Sequence, residues 1–346
     1  MSVRVVQWAT GTTGRLALRA VIDALDLELV GVRVYDPGKV GRDAGDLADR
    51  GATGVLATDS TADVLDLDPD VVLYMGSVEK YPDGCFADVV ELLASGADVI
   101  ATGSSFVDAR AFAPERARAI EDACATGSST FLGLGLFPGF WGEVIAPALS
   151  RLSFQCEHIV VRESLSYAGY PSREMMFDVM GYGRAPDADE AMADINRAGY
   201  AFISTATIVA KALGLEVTSA EPFREVTVTD TELHVASGVI RAGTVGAMKL
   251  GVRASCGPVT VVVEHVTWMG PDVAPEWSRS EGYEIEFDGA PTLRCNLVLG
   301  THGEDHTEMG CLATAMHAVH AIPAVRAAPP GVLDLADATG FTGRMT

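Results

Sequence analysis

A chain of 346 residues exceeds one ordinary hydrophobic core, so two domains are the default. Hydrophobic residues make up 48%, which argues against disorder, and a formal net charge of -22 argues against partners that need a basic face, namely nucleic acid and anionic membrane. The acidic surface reads instead as a solubility device. No apolar run is long enough to span a bilayer, and Met1-Ser2-Val3-Arg4 enters a strand with neither a basic leader nor a cleavage site. Six cysteines, at 85, 124, 156, 256, 295 and 311, form no C-x-x-C pair. They read as reduced thiols of a cytoplasmic protein, not as a disulfide framework or a zinc site.

Strand and helix signals alternate over the first 135 residues. Apolar runs at 3–8, 29–35, 70–74, 97–101 and 131–134 predict strands. Helical spacing predicts helices over 13–24, 83–95 and 114–126, two of them followed by glycine (Gly96 and Gly127). This alternation predicts a doubly wound parallel sheet with helices on both faces. Around Pro138-Gly139 the pattern changes. A linking helix over 141–152, a strand over 157–166 and a long helical stretch over 187–213 follow. From about residue 224 to 299 the helical period is lost. Segments 245–254 and 259–268 alternate in period two around Cys256-Gly257-Pro258, a hairpin signature, and 281–287 and 292–299 add strands. The second domain is therefore α+β, with an open, mostly antiparallel sheet. An apolar helix over 306–325 needs a surface to cover it and is expected to pack back on the first domain. The expected division is a Rossmann domain at 1–140, a substrate and dimerisation domain at 141–304, and a returning helical segment at 305–346.

Ala9-Thr10-Gly11-Thr12-Thr13-Gly14 follows the first strand and opens the first helix. Against the pattern G-x-G-x-x-G, Ala9 replaces the first glycine. Gly11 and Gly14 stand where backbone approaches a pyrophosphate and where helix packs on strand. The helix start offers unpaired N–H groups and a positive dipole end, so Thr10, Gly11, Thr12, Thr13, Gly14 and Arg15 are expected cofactor contacts. The turns after later strands, at Gly76, Ser77, Thr102 and Gly103, extend that set. Asp36 lies 22 positions past Gly14, at the end of the second predicted strand. An acid there accepts from the adenine ribose and favours NAD, whereas Arg15, Arg33 and Lys39 are near enough in sequence to bind a 2′-phosphate. The cofactor is read as NAD(P), with both forms open. Alternatively, Asp36 caps the turn at Pro37-Gly38.

The run from Val5 to Arg15, followed by Val40-Gly41-Arg42-Asp43-Ala44-Gly45-Asp46-Leu47, resembles the dihydrodipicolinate reductase N-terminal domain. Pro138-Gly139-Phe140, Ala274-Pro275-Glu276-Trp277, and Ala321-Ile322-Pro323-Ala324-Val325 with Pro330-Gly331 are similar to one branch of that superfamily, the 2,4-diaminopentanoate dehydrogenase and native amine dehydrogenase group. The similarity spans nearly the whole chain. It implies a Rossmann domain, a substrate domain with an open mixed sheet, a C-terminal helix near the nicotinamide, a homodimer, and hydride transfer to or from a C=N or C=O carbon. Two departures matter. Residues 163–172 lack the His-His pair and the lysine of true dihydrodipicolinate reductases, which removes lysine biosynthesis. The amine dehydrogenases carry a glutamate after the strand that ends here at Ala101. In this chain that loop reads Thr102-Gly103-Ser104-Ser105-Phe106, with no acid until Asp108.

Hydride transfer is the cofactor's chemistry, and the protein must fix geometry and move a proton. Ser104 and Ser105 can hydrogen-bond a carbonyl oxygen. Tyr167 and Tyr170 are candidate acids, and His320, on the returning helix, titrates nearest neutrality. The bland alternatives are that the serines cap a turn, the tyrosines pack, and His320 is a satisfied core histidine. Phe140, Trp141, Tyr170 and Phe177, with Met175 and Met176, point to a small, largely apolar substrate at the joint between domains. Glu143 there reads equally as a first-turn acid. His302 and His306, with Glu304, Asp305 and Glu308, have a zinc-like composition, but Gly303 interrupts the helix and no metal is expected. The sequence thus points to an NAD(P)-dependent oxidoreductase acting on a small molecule. The alternative is a nicotinamide-binding sensor that kept the fold and lost the acid.

Overall fold

The computed structural model describes residues 2–78, 80–187, 191–277, 281–300, 302 and 305–335. Residues 188–190, 303–304 and 336–346 lie outside them, and with them the start of the expected long helix, the 304/305 boundary and the end of the returning segment. The chain divides into two compact units, Met1–Phe140 with Thr307–Thr346, and Trp141–His306. No helix among the described residues is long and apolar enough to cross a membrane.

The first unit is built on β1 (Val3–Trp8), β2 (Leu27–Arg33), β3 (Ala57–Thr58), β4 (Val71–Tyr74), β5 (Asp98–Thr102) and β6 (Thr130–Leu134). With the short strand Gly331–Val332 they form one seven-stranded sheet, β6-β5-β4-β1-β2-β3 with the short strand beyond β6. Every ladder is parallel. β4, β5 and β6 are buried along their whole length, which is why they read as continuous apolar runs. One face carries Val6, Trp8, Val72, Tyr74, Val99 and Phe131 against the helices Pro82–Ala94 and Pro114–Gly127. The other carries Val5, Val71, Leu73, Ile100, Leu132 and Leu134. Helix Thr12–Asp23 covers it through Leu16, Ala17 and Val21, beside helix His306–Ala327 through Ala315, Ala318, Ile322 and Val325. Arg326 fastens the end of that last helix to Asp98 (2.8 Å) and Asp70 (3.1 Å), at the amino ends of β5 and β4. The helix therefore runs against the strands, and its first half lies towards their carboxyl ends.

The second predicted strand ends at Arg33, not at residue 35. β1 leaves the ladder at Trp8, the partner of Arg33, because Ala9 turns away at φ 70°. Val34 is buried by packing and Tyr35 is half exposed, so their apolar character did not mark strand pairing.

The second unit holds β7 (Gln155–Ser166), β8 (Ser219–Val228), β9 (Leu233–Val235), β10 (Gly238–Ile240), β11 (Val245–Cys256), β12 (Val259–Trp268), β13 (Gly282–Ala290) and β14 (Leu293–Leu297). Six of them form a sheet in the order β14-β13-β7-β12-β11-β8. Only the β7–β12 pair is parallel among these ladders. The β11–β12 hairpin closes on Gly257 (φ 67°) and Pro258, with Cys256 opposite Val259. One face alternates Ile159, Val161, Glu163, Leu165 with Val261, Val263, His265, Thr267, and helix Ala191–Ala212 lies on it. The linking helix at 141–150 is split, with a wide turn at Trp141–Ile145 before Ala146–Ser150.

Candidate active site

The bend after β1 is a strained, tightly supported cradle. Ala9 adopts a left-handed φ of 70°, where glycine is unstrained. Its N–H donates to Arg33 O (2.9 Å). Its carbonyl accepts from Nε2 of the fully buried Gln7 (3.0 Å), which also reaches Trp8 O (3.2 Å). A Cβ on Gly14 would lie 2.2 Å from Ala9 O, so only glycine lets the helix close on the bend. A Cβ on Gly11 would meet nothing within 4 Å, which leaves open space over the bend. Gly11 caps helix Thr12–Asp23 without a side-chain hydrogen bond, so the N–H groups of Thr12, Thr13 and Gly14 face the opening. A helix start of this kind binds phosphate through backbone donors and dipole. Lys39 brings a cation to the same place, its Nζ donating to Thr10 O (3.0 Å) and Thr10 Oγ1 (3.2 Å). Arg15 is turned outward to Asp49 (3.1 Å).

Asp36 is not at a strand end. Its carboxylate accepts from Gly38 N (2.9 Å) and caps the turn Pro37–Lys39. Gly76 and Ser77 follow β4; a Cβ on Gly76 would strike the Tyr74 hydroxyl at 2.8 Å. Thr102 ends β5, and Gly103, at φ 131°, leads into the short helix Ser104–Val107. Ser105 is buried and Ser104 half-buried at this carboxyl edge. That short helix packs directly on β6, where a Cβ on Gly133 would overlap Phe106 O at 1.8 Å. The cradle, Gly76-Ser77 and Gly103-Ser104-Ser105 thus share the carboxyl edge of one parallel sheet, the edge at which such sheets bind ligands.

His320 lies elsewhere. It lines a groove of about 550 Å³ with Leu16, Arg19, Ala20, Leu312 and Met316, along the second half of helix Thr12–Asp23 rather than at its start. The histidine at the carboxyl edge is His317, one turn earlier. Its Nδ1 contacts Gly135 O (2.9 Å), and its ring stands edge-on to Phe140 at 5.1 Å. Both histidines are pushed down by burial.

In the second unit, Tyr167 and Tyr170 stand ring to ring at 5.7 Å. Both join an apolar cluster with Phe177, Met176, Tyr182, Met248 and Met269. Trp141 is buried with its ring 6.1 Å from that of Tyr283. Glu143 is buried and hydrogen-bonded by Thr205.

The sheet adds a pair that composition and motif reading passed over. Glu163 on β7 is in register with His265 on β12, and Tyr283 on β13 lies opposite Glu163. His265 Nε2 is 3.4 Å from Glu163 Oε2 and 3.3 Å from Tyr167 Oη. Burial raises the Glu163 carboxyl to about 7, against a hydrogen bond from Tyr283 that lowers it. Burial lowers His265 to about 4 and holds the Tyr167 phenol well above its ordinary value. The carboxyl and imidazole side chains keep 12% and 16% exposure, so the pair is enclosed but not sealed. Near neutrality the imidazole is uncharged and the carboxyl exchanges a proton, the profile of a general acid–base. The signal was present in the sequence: an acid and a histidine on the apolar phase of two alternating strands. Among the described residues no group of three His, Cys, Asp or Glu is placed to hold a metal ion.

A family model described as the 2,4-diaminopentanoate dehydrogenase C-terminal domain matches residues 179–344. Over 97% of this chain and 96% of the relative, the sequence is 29% identical to an amine dehydrogenase of Streptomyces virginiae. The structure of amine dehydrogenase from Mycobacterium smegmatis superposes with a TM-score of 0.77 at 17% identity, covering 97% of this chain and 96% of that one. A probable dehydrogenase from Thermotoga maritima gives 0.59 at 12% identity, over 97% and 92%. With the phosphate cradle and the two-unit architecture, these likenesses show an NAD(P)-dependent oxidoreductase that is similar to the 2,4-diaminopentanoate dehydrogenase and amine dehydrogenase-like group.

Proposed function

We propose that this oxidoreductase moves a hydride between nicotinamide C4 and the carbon of a C=N or C=O bond in a small, largely apolar substrate. We further propose that Glu163, His265 and Tyr167 handle the accompanying proton. The observation that carries this reading is the in-register Glu163–His265 pair, 3.4 Å apart with the Tyr167 phenol on the imidazole. It supplies the acid that the loop Thr102–Phe106 lacks, which is what favoured a sensor. Bound nicotinamide supplies or accepts the hydride. In reduction, the Glu163 carboxyl gives its proton to the carbonyl oxygen or the imine nitrogen. In oxidation, the carboxylate takes it back. The neutral imidazole accepts from the phenol or the carboxyl and holds both in line. Ser104 and Ser105, at the carboxyl edge of the first unit's sheet, are the candidate polar contacts of that unit, and Tyr170 and Phe177, in the apolar cluster of the second, are the candidate apolar contacts of the other. His320 was a candidate for the proton step; its groove beside Arg19 and Ala20 favours a packing role, with His317 in the better position.

We also read the chain as a homodimer through the second sheet. Its face opposite helix Ala191–Ala212 carries Arg162 paired with Glu264 and Glu284, and Arg294 with Glu286. A symmetric copy would complete such a half-covered ladder.

The test is consumption of reduced nicotinamide against a panel of linear and cyclic ketones, each with no amine, ammonia or methylamine. Turnover of at least one ketone or imine is expected, with Glu163→Gln slowed about 100-fold or more. If the dinucleotide binds and nothing in the panel turns over, the sensor reading takes its place.

A further inference from the structure

The end of β2 carries a cation with no counter-ion among the described residues. Arg33 is the last residue of that strand and the register partner of Trp8, and its carbonyl holds the N–H of Ala9 at the mouth of the cradle. Its guanidinium lies 3.8 Å from the centre of the Tyr35 ring and 5.0 Å from that of Trp8. This stacking fixes the plane of the group. Two of its nitrogens, Nε and Nη1, are shielded from water and have no acceptor among the described residues. Neighbouring arginines differ: Arg15 and Arg19 pair with Asp49, and Arg50 with Asp23. Among the described residues no carboxylate reaches Arg33. Asp88, the acid bonded to the stack's own Tyr35, accepts from the hydroxyls of Tyr35 (2.8 Å) and Tyr74 (2.9 Å). Asp36, three residues on, is engaged by Gly38 N.

In a Rossmann fold the residue at the carboxyl end of the second strand, about 20 positions past the glycine pattern, meets the 2′ position of the adenine ribose. Here that residue is Arg33, and the acid that would repel a phosphate sits beyond the strand, committed to its own turn. A guanidinium with vacant donors suits a phosphate dianion, which offers oxygens in the plane of the fork. Lys39, on the loop that follows, adds a second positive charge beside Thr10. We propose that Arg33, with Lys39 beside it, receives the 2′-phosphate, so that this chain selects NADP(H) over NAD(H). The buried Trp8 keeps its side of the stack, while the half-exposed Tyr35 ring moves aside to admit the phosphate. This rests on the reading of the glycine bend as a dinucleotide cradle.

The test is direct titration of the full chain with NADPH and NADH, followed by calorimetry and by quenching of tryptophan fluorescence. NADPH is expected to bind at least about 10-fold more tightly, and Arg33→Ala to remove about 10- to 100-fold of NADPH affinity while leaving NADH within about twofold. Asp36→Ala should leave the ratio within about twofold. Should Arg33→Ala fail to fold, the native chain still decides the matter: 2′,5′-ADP should displace NADPH far better than 5′-AMP. Equal or tighter NADH binding, or an NADPH preference that survives Arg33→Ala, overturns the assignment of Arg33 and leaves the cradle standing. Failure of both dinucleotides to bind overturns the cradle as well.

Discussion

Ala9 holds a backbone conformation that glycine enters freely, and the Gln7 amide donates to its carbonyl and to that of Trp8. Ala9→Gly should therefore raise stability by up to about 1 kcal/mol, read by urea denaturation, with nucleotide affinity kept. Gly14→Ala should do the reverse. The added methyl meets Ala9 O at 2.2 Å, so a loss of about 1–3 kcal/mol and of dinucleotide binding is expected. Glu163 carries a pH signature. Its folded value of about 7 lies above the ordinary carboxyl value of 4.5. The native state then holds the proton more tightly than the unfolded chain, so stability falls as pH rises from 4.5 to 7. His265, lowered from 6.5 to about 4, has the opposite slope: its contribution is lost as pH falls through that window. Glu163→Gln should remove the first slope, gaining on the order of 3 kcal/mol on the native chain between the two ends of that range. In ketone reduction, kcat of the native enzyme should decline as pH rises through about 7, and that limb should vanish in Glu163→Gln.

At the scale of elements, the glycine bend, the buried strands of the first unit and the β11–β12 hairpin were legible because each has a local cause. Gly11 and Gly14 sit between a strand and a helix, and Gly257-Pro258 admits few other conformations. The end of β2 was not legible, since Val34 and Tyr35 continue the apolar run after the ladder has stopped at Arg33. That error of two residues moved Asp36 to a strand end and left Arg33, already a candidate for a 2′-phosphate, undistinguished from Arg15 and Lys39. The acid–imidazole pair was hidden for another reason: Glu163 and His265 are 102 residues apart, and only a parallel β7–β12 ladder sets them side by side. The anchoring of helix His306–Ala327 is likewise a non-local matter. Burial pushes Asp98 up, while Thr130 N and Arg326 hold it down. Arg326→Ala should destabilise the first unit by about 1–2 kcal/mol, the lower part of the range for a paired carboxylate because Arg326 keeps 39% exposure.

At the scale of the molecule, a net charge of -22 sets long-range behaviour. In the proposed dimer, two copies meeting through their second sheets would repel one another, so association should tighten as salt rises, within the few tenths molar over which screening acts. Light scattering should give about twice the 36.3 kDa of one chain. The first unit is also discontinuous in sequence, because helix His306–Ala327 covers a face laid down by β1, β4, β5 and β6. During translation that face stays bare until residue 327 has left the ribosome, although all of β1 to β6 emerged some two hundred residues earlier. The inserted 141–306 unit can fold first, and the nascent amino-terminal sheet is the stretch most in need of a chaperone.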